Sequence, residues 1–198
     1  MMELVVATRN AGKLREIRRL LEAKGVRVLG MDNFPDAPEV EEDGDTFASN
    51  AVKKALAIAS FTGRPCLADD SGLEVTALQG RPGVHSARFA GVDADDHSNN
   101  CLLLREMAEV PESRRQAAFC CVIALCLPGV PPRLFEGRVE GRILGQQRGD
   151  GGFGYDPLFW LPDFACTMAE LPLDTKNRIS HRGQAMRLVV DYLSSLQS

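Results

Sequence analysis

The chain has 198 residues, of which 44% are hydrophobic and 25% are charged, and its formal net charge is −4. This composition is typical of a soluble globular protein, and we expect residues 1–198 to form a single domain with two lobes. The acidic balance argues against a protein that binds nucleic acid through a basic surface. A membrane span is not expected either, because no window of about 18 apolar residues occurs.

Six cysteines are present, and none belongs to a C-x-x-C pair. Three of them, Cys120, Cys121 and Cys126, lie in the apolar run AAFCCVIALCL. This pattern favours buried, reduced thiols in a cytoplasmic protein over a metal site. The apolar run near the start of the chain reaches a charged loop too soon to be a signal peptide.

The first third of the chain alternates between strand and helix patterns. In order, it predicts a strand at 3–8, a helix at 12–25, a strand at 26–31, an acidic loop at 35–45, a helix at 46–63 and a strand at 65–70. Gly25 is a stop signal for the first helix, and Thr46, Asn50 and Lys54 share one face of the second. This alternation predicts an α/β fold.

The rest of the chain predicts a hairpin and a final helix among irregular loops. Its elements in order are a Gly/Pro-rich loop at 78–91, a helix at 95–109, strands at 116–128 and 132–144, a Gly-rich loop at 148–157 and a helix at 181–197. The two strands are predicted to form an antiparallel hairpin, and Ser180 can cap the last helix. The apolar face predicted for that helix consists of Ala185, Leu188, Val189, Tyr192, Leu193 and Leu196.

The segment TRNAGK, Thr8–Lys13, connects the first predicted strand to the first helix. A helix N-terminus offers backbone N–H groups and a positive dipole end, and together with Lys13 it suits a phosphate. It is not a Walker A loop, because the first glycine of that motif would fall on Ala7 and its Ser/Thr on Leu14. The alternative interpretation is that Asn10 only caps the helix and that Lys13 is solvated.

The segment CLADDSGLEV, 66–75, places Asp69 and Asp70 where a buried strand is predicted to end. Open α/β sheets commonly bind ligands at such a strand end. Carboxylates beside phosphate donors indicate magnesium, which one or two carboxylates and the substrate phosphates hold together. Ser71 and Gly72 are predicted to turn the chain away from this site. The alternative is an ordinary turn, and most carboxylates of the acidic loop are interpreted as solvated.

Two further segments carry candidate binding groups. The glycines of RGDGGFGYDPLF permit close backbone approach, and Phe153 and Tyr155 offer a stacking surface; the alternative is a turn that these two rings pack. The segment DTKNRISHRGQ, 174–184, concentrates donors at the predicted start of the last helix, where the helix dipole disfavours cations. These donors are Lys176, Arg178, His181 and Arg182. Phosphate donors, carboxylates, a stacking loop and base-reading donors together indicate a site for a nucleoside triphosphate.

These motifs resemble the inosine triphosphate pyrophosphatase family over nearly the whole chain. The matching segments are ATRNAGK (7–13), EEDGDTFASNAVKKA (41–55), LADDSGLEV (67–75), GRPGVHSARFAG (80–91), GGFGYDPLF (151–159), MAEL (168–171) and KNRISHRGQA (176–185). The resemblance implies an α/β fold with an elongated mixed central β-sheet flanked by helices. It also implies two lobes with an active-site cleft between them, and a homodimer.

The resemblance further implies a magnesium-dependent enzyme that hydrolyses non-standard purine nucleoside triphosphates (ITP, dITP and XTP) to the monophosphate and pyrophosphate. It assigns Asp70 as the proton acceptor, and Glu42 and Asp70 as magnesium ligands. The residues that it places at the phosphates are Thr8, Arg9, Asn10, Ala11, Gly12, Lys13, Lys54 and Ser71. Those that it places at the base and sugar are Phe153, Gly154, Tyr155 and Asp156, while Lys176, His181 and Arg182 read the base.

Two other classes of function are compatible with parts of this pattern. A phosphatase with an aspartyl nucleophile would require a D-x-D-x-[TV] arrangement, which DDSGLEV does not supply. A nucleotide-binding sensor would not require an organised metal and water, so Asp70 and Glu42 argue against it.

Overall fold

The computed structural model describes residues 2–196. The strands in that range are β1 Glu3–Val6, β2 Arg27–Leu29, β3 Cys66–Val75, β4 Gln116–Cys126, β5 Arg133–Ile143, β6 Phe159–Leu161 and β7 Cys166–Thr167. The α-helices are α1 Ala11–Glu22, α2 Phe47–Thr62, α3 Asp96–Glu106, α4 Leu173–Ile179 and α5 His181–Ser195. No helix among these residues is both long and apolar enough to cross a membrane.

The strands form one mixed sheet in the order β2–β1–β3–β4–β5–β6–β7. β1 is parallel to β2 and to β3, whereas β6 is antiparallel to β5 and to β7. β4 and β5 are neighbours in the sheet, as the predicted hairpin requires. The predicted α/β fold, with a mixed sheet flanked by helices, is confirmed.

The chain divides into two compact units. The first unit comprises the chain up to Asp70, the segment Cys121–Gly137 and the chain from Arg182 onward. The second unit comprises Ser71–Cys120 and Arg138–His181. Each unit has its own hydrophobic core.

The core of the first unit lies on both faces of the sheet. Leu4 and Val6 belong to a cluster with buried residues of α1 and α5. Val5, which lies between them in β1, belongs to a second cluster with buried residues of α2. Because successive side chains of a strand point to opposite faces, one face is covered by α1 and α5 and the other by α2.

The same alternation continues along β3 and determines where its carboxylates lie. Leu67 packs in the α1/α5 cluster, whereas Cys66 and Ala68 pack in the α2 cluster. Extending this period of two places Asp69 on the α1/α5 face and Asp70 on the α2 face. Two adjacent carboxylates therefore enter two different environments.

The core of the second unit joins the other half of β3 to the elements that follow. Leu73 and Val75 of β3 pack with Leu103 of α3, Phe119 of β4 and Phe159 of β6. This cluster also contains Tyr155 and Leu158, so the irregular segment before β6 is anchored by its own apolar side chains. The second unit thus fixes α3 and the Gly-rich loop onto one core.

The prediction that the third strand ends at Asp70 is wrong. β3 continues through Ser71 and Gly72 to Val75, and Ser71 and Gly72 do not turn the chain. Aspartate, serine and glycine favour turns locally, but β3 lies between β1 and β4 in the sheet. Pairing with neighbouring strands determines strand formation more strongly than the propensity of single residues does.

The last predicted helix is present as α5, and a short helix that was not predicted, α4, precedes it; Ser180 lies between the two helices. Met186 is buried in α5, whereas Leu188 and Leu196, which were assigned to the apolar face, are exposed. Lys176 and Arg178 lie in the last turn of α4, where the helix dipole favours cations, so the argument that this cluster opposes the dipole is wrong for them. The predicted end of the last helix at residue 197 lies outside the described residues.

Candidate active site

The loop Thr8–Lys13 leads from β1 into the N-terminus of α1. The Asn10 side chain caps this helix, because its Oδ1 accepts a hydrogen bond from the Lys13 backbone N–H at 2.9 Å. The Thr8 hydroxyl accepts a hydrogen bond from the Asn10 backbone N–H at 3.2 Å. The two short polar side chains therefore fix the shape of a loop that ends at a solvent-exposed helix N-terminus, which is a favourable place for an anion.

Lys13 is held by a buried carboxylate. Its Nζ lies 2.6 Å from Oδ1 of Asp69, and the two side chains are 16% and 0% exposed. The interpretation of Lys13 as a solvated lysine is therefore wrong. An ammonium group fixed in this position adds a full positive charge to the partial charge of the helix N-terminus.

Asp69 is the centre of a buried network of charges. Its Oδ2 accepts hydrogen bonds from Nε of Arg182 at 3.1 Å and from Sγ of Cys121 at 3.2 Å. Nη1 of Arg182 donates to Oε2 of Glu16 at 2.6 Å. The charges alternate in sign from Glu16 through Arg182 and Asp69 to Lys13, and their sum is zero. We call these four residues the Asp69 network.

The pKa values of this network show why its members stabilise one another. Burial alone would raise the pKa of Asp69, but the charges of Arg182 and Lys13 outweigh it and hold that pKa well below its ordinary value. Burial alone would lower the pKa of Arg182, but Asp69 and Glu16 raise it. Transferring one ion from water into the protein interior costs on the order of several kcal/mol of free energy. Each ion of the network is therefore stable in its buried position only because its oppositely charged partners are present.

Asp70 lies on the other face of the sheet and has a different environment. It is buried, and its Oδ2 accepts a hydrogen bond from Nδ2 of Asn50 in α2 at 3.0 Å. Asn50 is itself oriented by the backbone, because its Oδ1 accepts from the Gly44 N–H at 2.8 Å. Burial raises the pKa of Asp70, and the positive charges of Lys54 and Lys13 oppose this effect only in part. A carboxylate with a raised pKa is a stronger base than an ordinary aspartate.

Glu42 and Lys54 lie in the surroundings of Asp70. Their side chains form an ion pair, and both influence Asp70: the Lys54 charge lowers its pKa and the Glu42 charge raises it. Among residues 2–196, no group of three or more His, Cys, Asp and Glu side chains could hold a metal alone. The two carboxylates Glu42 and Asp70 fit magnesium, which takes few protein ligands when substrate phosphates supply the others. The sequence prediction of Glu42 and Asp70 as ligands therefore stays a prediction.

The second unit carries the Gly-rich segment Phe153–Asp156. Oδ2 of Asp156 accepts hydrogen bonds from the Phe153 backbone N–H at 2.9 Å and from Nζ of Lys176 at 2.5 Å. The Lys176 ammonium also lies 4.5 Å from the centre of the Phe153 ring. Asp156 thus joins the loop to α4, and a Cβ atom added at Gly152 would overlap its carboxylate. Glycine is required at that position for close approach.

The two aromatic rings of this segment do different things. Tyr155 is buried in the core, and its hydroxyl donates a hydrogen bond to the Ser86 carbonyl at 2.8 Å. Phe153 is only partly buried, so its ring can offer the stacking face that a base requires. Tyr155 therefore anchors the loop, and the interpretation of this residue as a stacking surface is wrong.

The four donors of segment 174–184 have different surroundings. Lys176 pairs with Asp156, and Arg178 is exposed. His181 is buried and stacks on the Phe119 ring, with ring centres 4.9 Å apart. Arg182 belongs to the first unit and to its Asp69 network. Ser71, which directly follows Asp70, is half-buried.

Several polar contacts within the two units were not predicted from the sequence. Glu16 reads as one polar position of an amphipathic helix, and no local pattern distinguishes it from a solvated glutamate. Asp96 and Asn100 of α3 contact the backbone of Gly154. Asn50 was placed on one helix face with Lys54, which was the available signal for its position, but its contact with Asp70 was not foreseen.

The fold and these contacts define a class of protein. A mixed α/β sheet that places a helix N-terminus, two lysines and buried carboxylates together is typical of proteins that act on phosphorylated ligands. The model of the Ham1 family matches residues 4–192. The chain therefore belongs to the Ham1 family, and the family relationship predicted from the sequence motifs is confirmed.

Individual relatives extend over nearly the whole chain. A dITP/XTP pyrophosphatase of Geobacter sulfurreducens is 56% identical over 193 residues, which cover 98% of this chain and 97% of that protein. A dITP/XTP pyrophosphatase of Desulforamulus reducens is 53% identical over 195 residues, with the same coverage of the two proteins. The solved structure of a HAM1 protein from Coxiella burnetii superposes with a TM-score of 0.88 at 42% identity, covering 98% of this chain and 100% of that one.

Proposed function

We propose that this protein hydrolyses non-standard purine nucleoside triphosphates, namely ITP, dITP and XTP, to the monophosphate and pyrophosphate. The observation that carries the proposal is Asp70: a buried carboxylate of raised pKa, oriented by Asn50 and influenced by two lysines. The names of the two relatives, dITP/XTP pyrophosphatase, support the same reaction. Removal of such nucleotides from the cellular pool is the role that this reaction serves.

In the proposed reaction, the residues of the first unit bind the triphosphate. The N-terminus of α1 and the loop Thr8–Lys13 accept the outer phosphates, and the ammonium groups of Lys13 and Lys54 neutralise their charge, with Arg9, Ala11, Gly12 and Ser71 as further contacts. Asp70 accepts a proton from a water molecule. The oxygen of that water forms a bond to the α-phosphorus, and the bond from this phosphorus to the oxygen bridging to the β-phosphate breaks. Electrostatic stabilisation and positioning supply most of the rate.

Magnesium, held by Glu42 and Asp70, would neutralise phosphate charge when it is bound. We therefore expect excess chelator to abolish turnover and added magnesium to restore it. The measurement is pyrophosphate release before and after addition of the metal. Full activity in excess chelator would remove the metal from the proposed mechanism.

In the second unit, we propose that Phe153 stacks on the base, that Gly154 and Asp156 shape its pocket, and that Lys176 and His181 donate to it. Arg182 was predicted to read the base as well. Its Nε and Nη1 donate to Asp69 and Glu16, so we propose that it acts through Asp69 on the phosphate side. We also propose a homodimer, from the family resemblance, and a cytoplasmic location, from the pattern of cysteines.

The test of the function compares ITP, XTP, GTP and ATP, with products separated by chromatography. Hypoxanthine and xanthine carry an acceptor oxygen at position 6, whereas adenine carries a donor amino group there. The adenine amino group offers no acceptor to an N–H that Lys176 would direct at position 6, because a lysine ammonium also only donates. We expect catalytic efficiency for ITP and XTP to exceed that for ATP by at least ~100-fold, since sites built on such hydrogen bonds reject wrong partners strongly.

The products decide the bond that is cleaved. We expect inosine monophosphate and pyrophosphate from ITP. Release of orthophosphate and a diphosphate would contradict the proposed attack at the α-phosphorus. Tight binding of ITP without turnover would instead favour a nucleotide sensor.

A further inference from the structure

Helix α3 holds the peptide groups of Gly154 through two side chains. The Gly154 N–H donates to Oδ2 of Asp96 at 2.6 Å, and Nδ2 of Asn100 donates to the Gly154 carbonyl at 2.9 Å. Asp96 and Asn100 are four residues apart, so they lie on the same face of α3. We call these two residues the α3 clamp.

The α3 clamp binds a loop residue whose backbone conformation is unusual. Gly154 has φ +61°, a left-handed conformation, and it lies between the Phe153 ring and the Tyr155 anchor. No regular backbone pairing is available to it, because Phe153–Asp156 belongs to no strand or helix. The hydrogen bonds of the α3 clamp therefore set the direction in which the chain leaves Phe153.

The stability of helix α3 itself does not explain why Asp96 and Asn100 bind Gly154. The cap of this helix is Asp95, whose side chain accepts from the Ser98 backbone N–H at 2.7 Å. Asn100 is 3% exposed, and burying an amide side chain is costly unless it is hydrogen-bonded. Its Nδ2 donates a hydrogen bond to the loop rather than to α3, so the buried amide stabilises the loop.

We propose that Asp96 and Asn100 are positioning residues that hold the Phe153–Asp156 loop in the conformation that accepts the purine base. The inference rests on the proposed function, in which Phe153 stacks on that base. It adds α3 to the elements that determine base affinity and selectivity. Both contacts of the α3 clamp go to the backbone of Gly154, so we expect its loss to affect binding of the base rather than the chemical step.

The experiment uses two matched pairs of variants on the full chain. Asn99, like Asn100, is 3% exposed and in α3, but its side chain bonds the backbone of Ala87 and Ala90. Asn99→Ala therefore controls for the loss of a buried amide in Asn100→Ala. Asp95→Ala, which removes the helix cap, controls for Asp96→Ala. Asp96→Asn retains an acceptor and should rescue the function that Asp96→Ala loses.

The assay measures kcat and KM for ITP and ATP, together with the melting temperature. Loss of a hydrogen bond to the loop should raise KM for ITP about tenfold in Asn100→Ala and in Asp96→Ala. In both variants kcat should change by less than about threefold, and the preference for ITP over ATP should narrow. Asn99→Ala and Asp95→Ala should lower the melting temperature without raising KM.

Three outcomes would overturn the inference, and they are distinguishable. If wild type cleaves ITP but Asn100→Ala and Asp96→Ala keep its KM and selectivity, the α3 clamp does not position the base. If Asn99→Ala and Asp95→Ala raise KM equally, general destabilisation of α3 is the cause. If wild type cleaves no ITP, the proposed function itself has failed, and the inference fails with it.

Discussion

Asp70→Asn is expected to lower turnover of ITP by at least ~100-fold, because loss of a general base typically costs this much or more. The substitution preserves the shape of the side chain and an oxygen that can accept the Asn50 hydrogen bond. It removes the proton acceptor and one of the two proposed magnesium ligands. The measurement is kcat for pyrophosphate release with saturating ITP and magnesium.

The matched control is Asp43→Asn in the acidic loop. The Asp43 side chain is 58% exposed and forms an ion pair with Lys53 at the surface. Surface ion pairs contribute little free energy to folding. Because Asp43 is exposed and has no proposed role in the reaction, kcat should remain close to that of wild type. Equal losses in the two variants, or near-normal turnover in Asp70→Asn, would show that the chemistry lies elsewhere.

The pKa of Asp70 also predicts how the reaction rate and the stability depend on pH. A base acts only when it is deprotonated, so the rate of the wild type should rise with pH through the pKa of Asp70 and then level off. Bound magnesium would move this rise to lower pH, because a nearby cation favours the charged carboxylate. The contribution of Asp70 to the free energy of unfolding depends on pH in the opposite direction from the rate. A raised pKa in the folded state means that Asp70 favours folding at acidic pH and that this contribution is lost as pH rises through the folded pKa. Asp70→Asn should therefore not lower the melting temperature at pH 7.

The Asp69 network should show the largest effect on stability. Asp69→Asn removes the charge that Arg182 and Lys13 share and leaves Arg182 buried with less compensation. Breaking a buried ion pair from one side costs about 3–5 kcal/mol of unfolding free energy. Urea unfolding at pH 7 measures this loss as a shift of the midpoint.

The control for Asp69 is another carboxylate with two basic partners. Glu3 pairs with Arg27 and Arg64, but its side chain is 33% exposed and theirs are more exposed still. Glu3→Gln should cost at most about 1 kcal/mol, as surface pairs do. If Asp69→Asn is as stable as wild type, the four charges do not depend on one another in the way that their contacts indicate.

The pH dependence of the Asp69 effect has a definite sign. The pKa of Asp69 in the folded protein lies well below its ordinary value. Its contribution is therefore complete above the ordinary aspartate pKa and is lost as pH falls below that value, because the unfolded chain takes up the proton first. The difference in stability between wild type and Asp69→Asn should narrow as the solution is made acidic.

The strands β1–β5, the helices α1, α2, α3 and α5, the fold class and the family could be predicted from the sequence, whereas β6, β7 and α4 were not predicted. The elements follow from local signals, namely the period of apolar residues and the glycine stop signal at Gly25, whereas the family follows from the resemblance of the seven motifs. The residue types of the site were visible for the same reason, since Thr8–Lys13 and Asp69-Asp70 stand at recognisable places in the chain. Composition and periodicity act over a few residues, and a sequence displays them directly.

Only the tertiary structure decided which partner each of these residues has. The alternation of β3 sends Asp69 to the α1/α5 face and Asp70 to the α2 face, but the sequence does not say which helices cover which face. Arg182 meets Glu16 across 166 positions of the chain, and neither residue carries a local sign of this pairing. The hydrogen bonds between α3 and Gly154 also carry no local sign in the sequence, and neither does the continuation of β3 past residues that favour a turn. Burial and long-range pairing determine these contacts, and both arise only when distant segments pack together.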